Sequence, residues 1–165
     1  MQTPLGYSSA GLACVSVKAT TSQGLTIPRG AVVSLDLSAA ATVIGEEQTV
    51  IKVLQANGST NVYYCGIALS PMGNGQGGTI CMMGMCDVQV ASPLPSYSQA
   101  VGIDPASPDD WYYLTATNGV IGAVKYGVAL ETYHASLTGP DYGSNSTSYA
   151  NCWVNFIVSA SFGYT

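Results

Sequence analysis

The stretch that decides how the chain is read is Thr79 to Val90, TICMMGMCDVQV. A strand with one wet face alternates apolar and polar residues. Here Ile80 to Cys86 is apolar almost throughout, and polar residues return only at Asp87 and Gln89. Strand geometry puts Ile80, Met82, Cys86, Val88 and Val90 on one face and Cys81, Met83 and Met85 on the other. Both faces are apolar, so the strand needs two covers, either two parts of this chain or one part and a neighbouring subunit. Cys81 and Cys86, five apart, are expected to point to opposite faces unless Gly84 supplies a bulge that shifts the phase. Two thiolates with thioethers would suit only a soft ion such as Cu(I). With no histidine nearby, the expectation is packing, with no metal, no cofactor and no redox pair.

The surrounding sequence supports an all-β reading. Long 3.6-residue stripes are absent, and Gly, Ser, Thr, Val and Tyr are abundant. In AVVSLDLS (31–38), Val33, Leu35 and Leu37 share one face and Val32, Ser34 and Asp36 the other. TVIKVLQ (49–55), NVYYCGIALS (61–70), WYYLTATNG (111–119), AVKYGVALETY (123–133) and CWVNFIVSASF (152–162) read as further strands. Asn57-Gly58 and Asn118-Gly119 are turn signals. PMGNGQGG (71–78), residues 91–110 and TGPDYGSNSTSYAN (138–151) read as loops. VYYCGIALSP (62–71) is echoed by AVKYGVALET (123–132), with Gly66, Ala68 and Leu69 recurring as Gly127, Ala129 and Leu130. Two copies of a small β-unit are too few for a solenoid or propeller. The expected architecture is a compact β-barrel or sandwich-like domain with a weak internal duplication and long polar loops. Residues 1–29 are expected to form an N-terminal arm and lead-in, and residues 30–165 the single β-rich domain.

Composition narrows the function. Of 165 residues only 8% are charged, and the net charge is −5; about 25% charged is usual. Lys18, Arg29, Lys52 and Lys125 are the only cations, which argues against a nucleic-acid surface. No apolar run reaches the roughly 18 residues of a membrane helix, and MQTPLGYSSAGLACVSVK lacks the pattern of a signal peptide. Five cysteines, an odd number, do not form a disulfide framework; free thiols in a reducing cell are expected. Asn57-Gly58-Ser59 and Asn145-Ser146-Thr147 are then read as turns.

Catalytic motifs are weak. GNGQGG (73–78) has no capped helix after it to bind phosphate. His134 is the single histidine, with no Gly-x-Ser-x-Gly elbow elsewhere to partner it. Asp104, Asp109 and Asp110 lie in one Pro-rich stretch without regular calcium-ligand spacing. Glu46-Glu47 reads as a turn. No catalytic, cofactor-binding or metal-binding residue is assigned, and the chain is not expected to be an enzyme.

The segment from Ile27 to Val90 resembles the head decoration (capsid cement) proteins of tailed bacteriophages. The resemblance lies in IPRGAVVSLDLS, KVLQANGS and VYYCGIALSPMGNGQGGTICMMGMCDVQV. In that family a Gly-led "G-x-V-V-x-L-D" strand, here Gly30 to Asp36, precedes a "V-x-G-(I/V)-A-L" strand, here Tyr64 to Leu69. A Gly-rich loop then leads to a strand ending in alternating valines, here Ile80 to Val90. The family usually reads "G-E-x-V-x-V" in that last part, where this chain carries its Cys/Met run. The resemblance implies a small β-rich virion protein without catalytic residues, made in the host bacterial cytoplasm and placed on the capsid exterior. It also implies a homotrimer that bridges and stabilises the major capsid protein lattice, with no nucleic-acid or membrane partner. The competing class is a phage fibre, adhesin or carbohydrate-binding β-domain, in which Tyr-rich loops and Trp111 would stack on sugar rings.

Overall fold

The computed structural model describes residues 6–7, 13–21, 24–36, 50–57, 63–103, 114–117, 125–134 and 148–157. These contain ten strands and no helix: β1 (Gly6–Tyr7), β2 (Ala13–Thr20), β3 (Val32–Leu35), β4 (Val50–Gln55), β5 (Tyr64–Ala68), β6 (Gly77–Val90), β7 (Ala100–Ile103), β8 (Leu114–Ala116), β9 (Lys125–Ala129) and β10 (Ser148–Asn155). The protein is all-β, as its alternating strands imply.

The strands form one sheet that closes on itself. Its order is β1-β2-β4-β3-β5-β6-β10-β9-β7-β8, with two further pairings, β2–β6 and β6–β8. The first makes a closed five-stranded barrel, β2-β4-β3-β5-β6. The second makes a ring of the same connectivity, β6-β10-β9-β7-β8, fastened by the parallel Val90–Leu114 pair and by the Ala91 N–H donating to the Leu114 carbonyl at 3.2 Å. Strand β6 is therefore the last strand of the first ring and the first strand of the second.

The internal duplication extends to the register. Val33 pairs with Gly66 and Val101 with Gly127, and both ladders then slip by one residue at the next position. Gly30 donates to the Ala68 carbonyl at 2.8 Å, and Ser98 donates to the Ala129 carbonyl at 2.8 Å. Gly30 and Ser98 both have positive φ, 80° and 64°. Glycine takes that conformation freely; serine adopts it at a cost, here held by the same backbone bonds. A Cβ on Gly66 would lie 2.6 Å from the Cys81 carbonyl oxygen, and one on Gly127 would run into that of Trp153. The recurring glycine of the echo is thus the point where two strands approach too closely for any side chain.

The two apolar clusters follow the two rings. One holds Ile27, Val33, Val53, Met72 and Ile80, with Val17, Leu35 and Met82 partly buried against it. The other holds Cys86, Val88, Val90, Val101, Leu114, Cys152 and Val154 from inside the second ring. That cluster also takes in Val32, Ala56, Ile67 and Cys81 from the outside of the first barrel. Val33 and Val32 thus face opposite layers, as the alternation requires.

Four expectations are corrected. The lead-in is not simply an arm, since residues 13–20 form β2, which pairs with both β4 and β6. Residues 91–110 are not loop throughout, since AVGI makes β7. The loop expected at residues 138–151 gives way to β10 from Ser148. Within the Gly-rich stretch, Gly77 and Gly78 already belong to β6, and Met72 is fully buried.

Candidate functional surface

The face assignment within β6 also fails: the β2–β6 ladder slips between Val15 and Ser16, leaving Met82 as an extra residue of β6, and Gly84 lies just beyond it. Its φ is 132°, a value that L side chains rarely adopt. Met83 and Gly84 pair with β2 on one edge and with β10 on the other. The phase of the strand turns over there. Ile80 and Met82 point into the first barrel, whereas Cys86, Val88 and Val90 point into the second. Cys81 falls in the second cluster with Cys86, and the two thiols are hydrogen-bonded to each other. The slip at Met82, with Gly84 beside it, lets a single strand line two barrel interiors rolled to opposite sides.

Cys65, Cys81, Cys86 and Cys152 are buried thiols outside any disulfide. Cys86 and Cys152 are direct cross-strand neighbours. The bond with Cys81, then burial, pushes the Cys86 thiol well above its ordinary value. Burial pushes Cys65 up to about 12. Burial, followed by the carboxylates of Glu131 and Asp87, pushes Cys152 up to about 12. Nucleophilic attack and metal ligation both use the thiolate, so these environments favour packing over reactivity. Among the described residues no group of three or more His, Cys, Asp or Glu is placed to hold a metal ion.

A polar seam ties the first unit to the shared strand. The Arg29 guanidinium donates to an Asp87 carboxylate oxygen at 2.7 Å, with both side chains about a third exposed. Gln89, buried, donates from Nε2 to the Arg29 carbonyl at 3.1 Å and to the Tyr149 hydroxyl at 2.9 Å. The Gln89 N–H donates to the Gly30 carbonyl at 2.9 Å. A Cβ on Gly30 would sit 2.8 Å from the Tyr149 ring, so this crossing needs glycine for space as well as for φ. Every buried polar group of Gln89 finds a partner, which is what lets it sit between two apolar clusters. The sequence read Gln89 only as a polar interruption; the long-range partners it meets carry no local signal.

Among the described residues the other candidates lie apart. His134 is exposed and its Nε2 lies 3.1 Å from Glu131, whose other oxygen accepts the Asn151 N–H at 2.8 Å. In the Gly-rich loop Gly75 takes a positive φ of 72° and its N–H donates to the Thr21 carbonyl at 2.8 Å; the loop leads into a strand. Asp104, Asp109, Asp110, Trp111, Glu46 and Glu47 lie outside the described residues.

The surface feature that remains is an outer row on the second ring. In the first barrel Val32, Ile67 and Cys81 stand side by side across β3, β5 and β6, and all three are fully buried. The matching row in the second ring is Ala100, Val128 and Trp153 across β7, β9 and β10. It continues on β6 at Met85, which pairs with Trp153. Here Ala100, Val128 and Met85 are only partly buried and Trp153 is 42% exposed. Tyr97 and Tyr133, both exposed, flank one end of this ring, where Tyr133 donates to the Pro95 carbonyl at 3.4 Å.

In comparisons with known proteins, the chain matches no family model and no curated protein sequence.

Proposed function

We propose that the chain is a non-catalytic structural protein of a tailed-phage virion, docked on the outside of the capsid as a homotrimer that cements the major capsid protein lattice. The observation that carries this reading is spatial. The three sequence pieces of the resemblance to decoration proteins, within residues 30–36, 64–69 and 80–90, fall on β3, β5 and β6, which are neighbouring strands of one barrel. Motif pieces scattered over sixty residues that assemble into one continuous surface support a shared architecture. Low charge and an uncovered apolar row suit a chain held against partners. Its synthesis in the host cytoplasm fits cysteines kept as thiols.

Quantitative mass spectrometry of purified particles tests the reading: hundreds of copies per particle are expected. A handful per particle would favour a fibre or adhesin. That second reading draws on Tyr97, 69% exposed, and Tyr133, 38% exposed, since exposed aromatic rings stack on sugars. Glycan-array binding abolished by Tyr97→Ala would favour it over cementing.

A further inference from the structure

The outer rows of the two units are equivalent by register, yet one is buried and the other open. What buries the first row is the second unit itself. Cys81 hydrogen-bonds to Cys86 of the second interior, and Tyr64 meets the ring of Tyr126 edge-on at 5.9 Å. Tyr126 in turn stacks on Phe156 at 5.0 Å. The end of the second barrel is therefore seated on the side of the first. Among the described residues the corresponding end of the first barrel has nothing equivalent beneath it. By register Val17 corresponds to Cys86 and Met82 to Val154: Val17 pairs with Ile80 as Cys86 pairs with Cys152, and Met82 and Val154 each lie two residues further on. Cys86 is 6% exposed and Val154 fully buried, whereas Val17 and Met82 are only partly buried.

Among the described residues the chain thus carries an unseated barrel end on one unit and a partly open side on the other, both apolar. They are the two halves of a contact that it already makes once internally.

We propose that a second copy of this chain covers the Trp153 row, seating the Val17–Met82 end of its first barrel there and repeating the internal contact between molecules. Such a contact is heterologous: each copy gives one face and receives on the other. It closes into a ring if the rotation permits and otherwise propagates. Trp153 supplies the large aromatic anchor that such interfaces concentrate at their centres, and Asn151 and Asn155, its neighbours on the same face of β10, form a polar rim. The proposal deepens the self-association in the reading above. It is tested without capsids, so its failure and the failure of capsid docking are read separately.

Sedimentation velocity of the full chain over rising concentration tests it. The wild type associates, and Trp153→Glu and Met82→Lys each shift the association midpoint upward by at least about tenfold, 1.4 kcal/mol. Circular dichroism checks that each variant keeps its strand signal; Val17→Lys replaces Met82→Lys if that one does not. Mixing the Trp153→Glu and Met82→Lys chains in equal amounts then restores one productive contact, giving a two-chain species and nothing larger. A wild type that stays monomeric up to hundreds of micromolar overturns the proposal. So does a Trp153→Glu chain that associates like the wild type, or a mixture that yields no two-chain species or one that grows beyond two.

Discussion

The two barrels share one connectivity, one register slip and one close glycine crossing, but they differ in what lies on their outer walls. Ile67 and Val128 occupy the same position in the repeat; the first is fully buried and the second is not. The difference does not come from the residues, since both are β-branched and apolar. It comes from what lies beside each row: among the described residues the first row packs into the cluster of the second unit, and the second row is left partly open. A duplicated fold thus makes burial a property of the neighbour as much as of the side chain, as in repeat proteins whose terminal units need caps.

The largest effect should come from breaking this asymmetry in the core. Ile67→Ala removes a side chain from a filled cluster and should cost about 2–5 kcal/mol. Val128→Ala, at the equivalent but partly open site, should cost under about 1.5 kcal/mol for the isolated chain. Urea unfolding at low protein concentration measures both. Equal losses would mean that the second row is covered within the chain after all.

Next come the glycines, where the two units should behave alike. Gly66→Ala and Gly127→Ala each drive a methyl group into a carbonyl of the adjacent strand. Backbone cannot swing aside as a side chain does, so each should cost about 1–3 kcal/mol or more. Thermal melting would show it. If one variant is tolerated and the other is not, the crossing is structural in only one unit and the duplication is looser than its register.

Much of this was legible in the sequence. The echo around Gly66 and Gly127 marked the duplication, and the alternation of Val33 and Leu35 marked the first interior. What escaped has physical reasons. Strand β2 (ACVSVKAT) does alternate, Val15, Val17 and Ala19 against Ser16, Lys18 and Thr20, but one short run of small apolar residues in a polar lead-in does not reveal that it pairs with both β4 and β6. Strand β7 is four residues inside a Pro- and Ser-rich tract, and it takes its place from pairing partners distant in sequence. The phase reversal in β6 goes with a register slip at Met82 against β2 and a positive φ at Gly84, which periodicity cannot foretell. As for the surface, the unusual run of methionines and cysteines announced that both faces needed covers. Which parts of the chain cover them depends on how the two rings roll, and that is set by long-range pairing.

Alkaline pH probes both interiors together. Cys65 in the first barrel and Cys152 in the second are each pushed up to about 12, against about 8.5 in an unfolded chain. The folded protein keeps a proton that the unfolded chain releases. The stabilisation is therefore whole below the unfolded value and drains as pH rises toward the folded one. Each thiol should contribute a slope of about 1.4 kcal/mol per pH unit in that window. Urea midpoints at about pH 8 and about pH 10 should fall accordingly, and Cys65→Val or Cys152→Val should each flatten the fall by a similar amount. A pH profile unchanged by either substitution would mean that the thiols ionise in place.

The smallest effect concerns the seam between the units. Arg29 reaches from the first unit to Asp87 on the shared strand, and the residue at its register position in the second unit is Tyr97, 69% exposed. At this register position the first unit has an ion pair and the second a tyrosine, but the pair's exposure limits it. Both side chains keep about a third of their surface in water, and pairs of that kind are worth about 0.2–1 kcal/mol. The backbone part of the seam, in which Gln89 donates to the Arg29 and Gly30 carbonyls, does not depend on the guanidinium. A double-mutant cycle with Arg29→Met and Asp87→Asn should therefore return a coupling below about 1 kcal/mol, shrinking further in molar salt. Tyr97→Ala should leave stability unchanged. A salt-insensitive coupling of several kcal/mol would show the pair to be desolvated and would make the ion pair, rather than the buried Gln89 bridge, the main link between the first unit and β6.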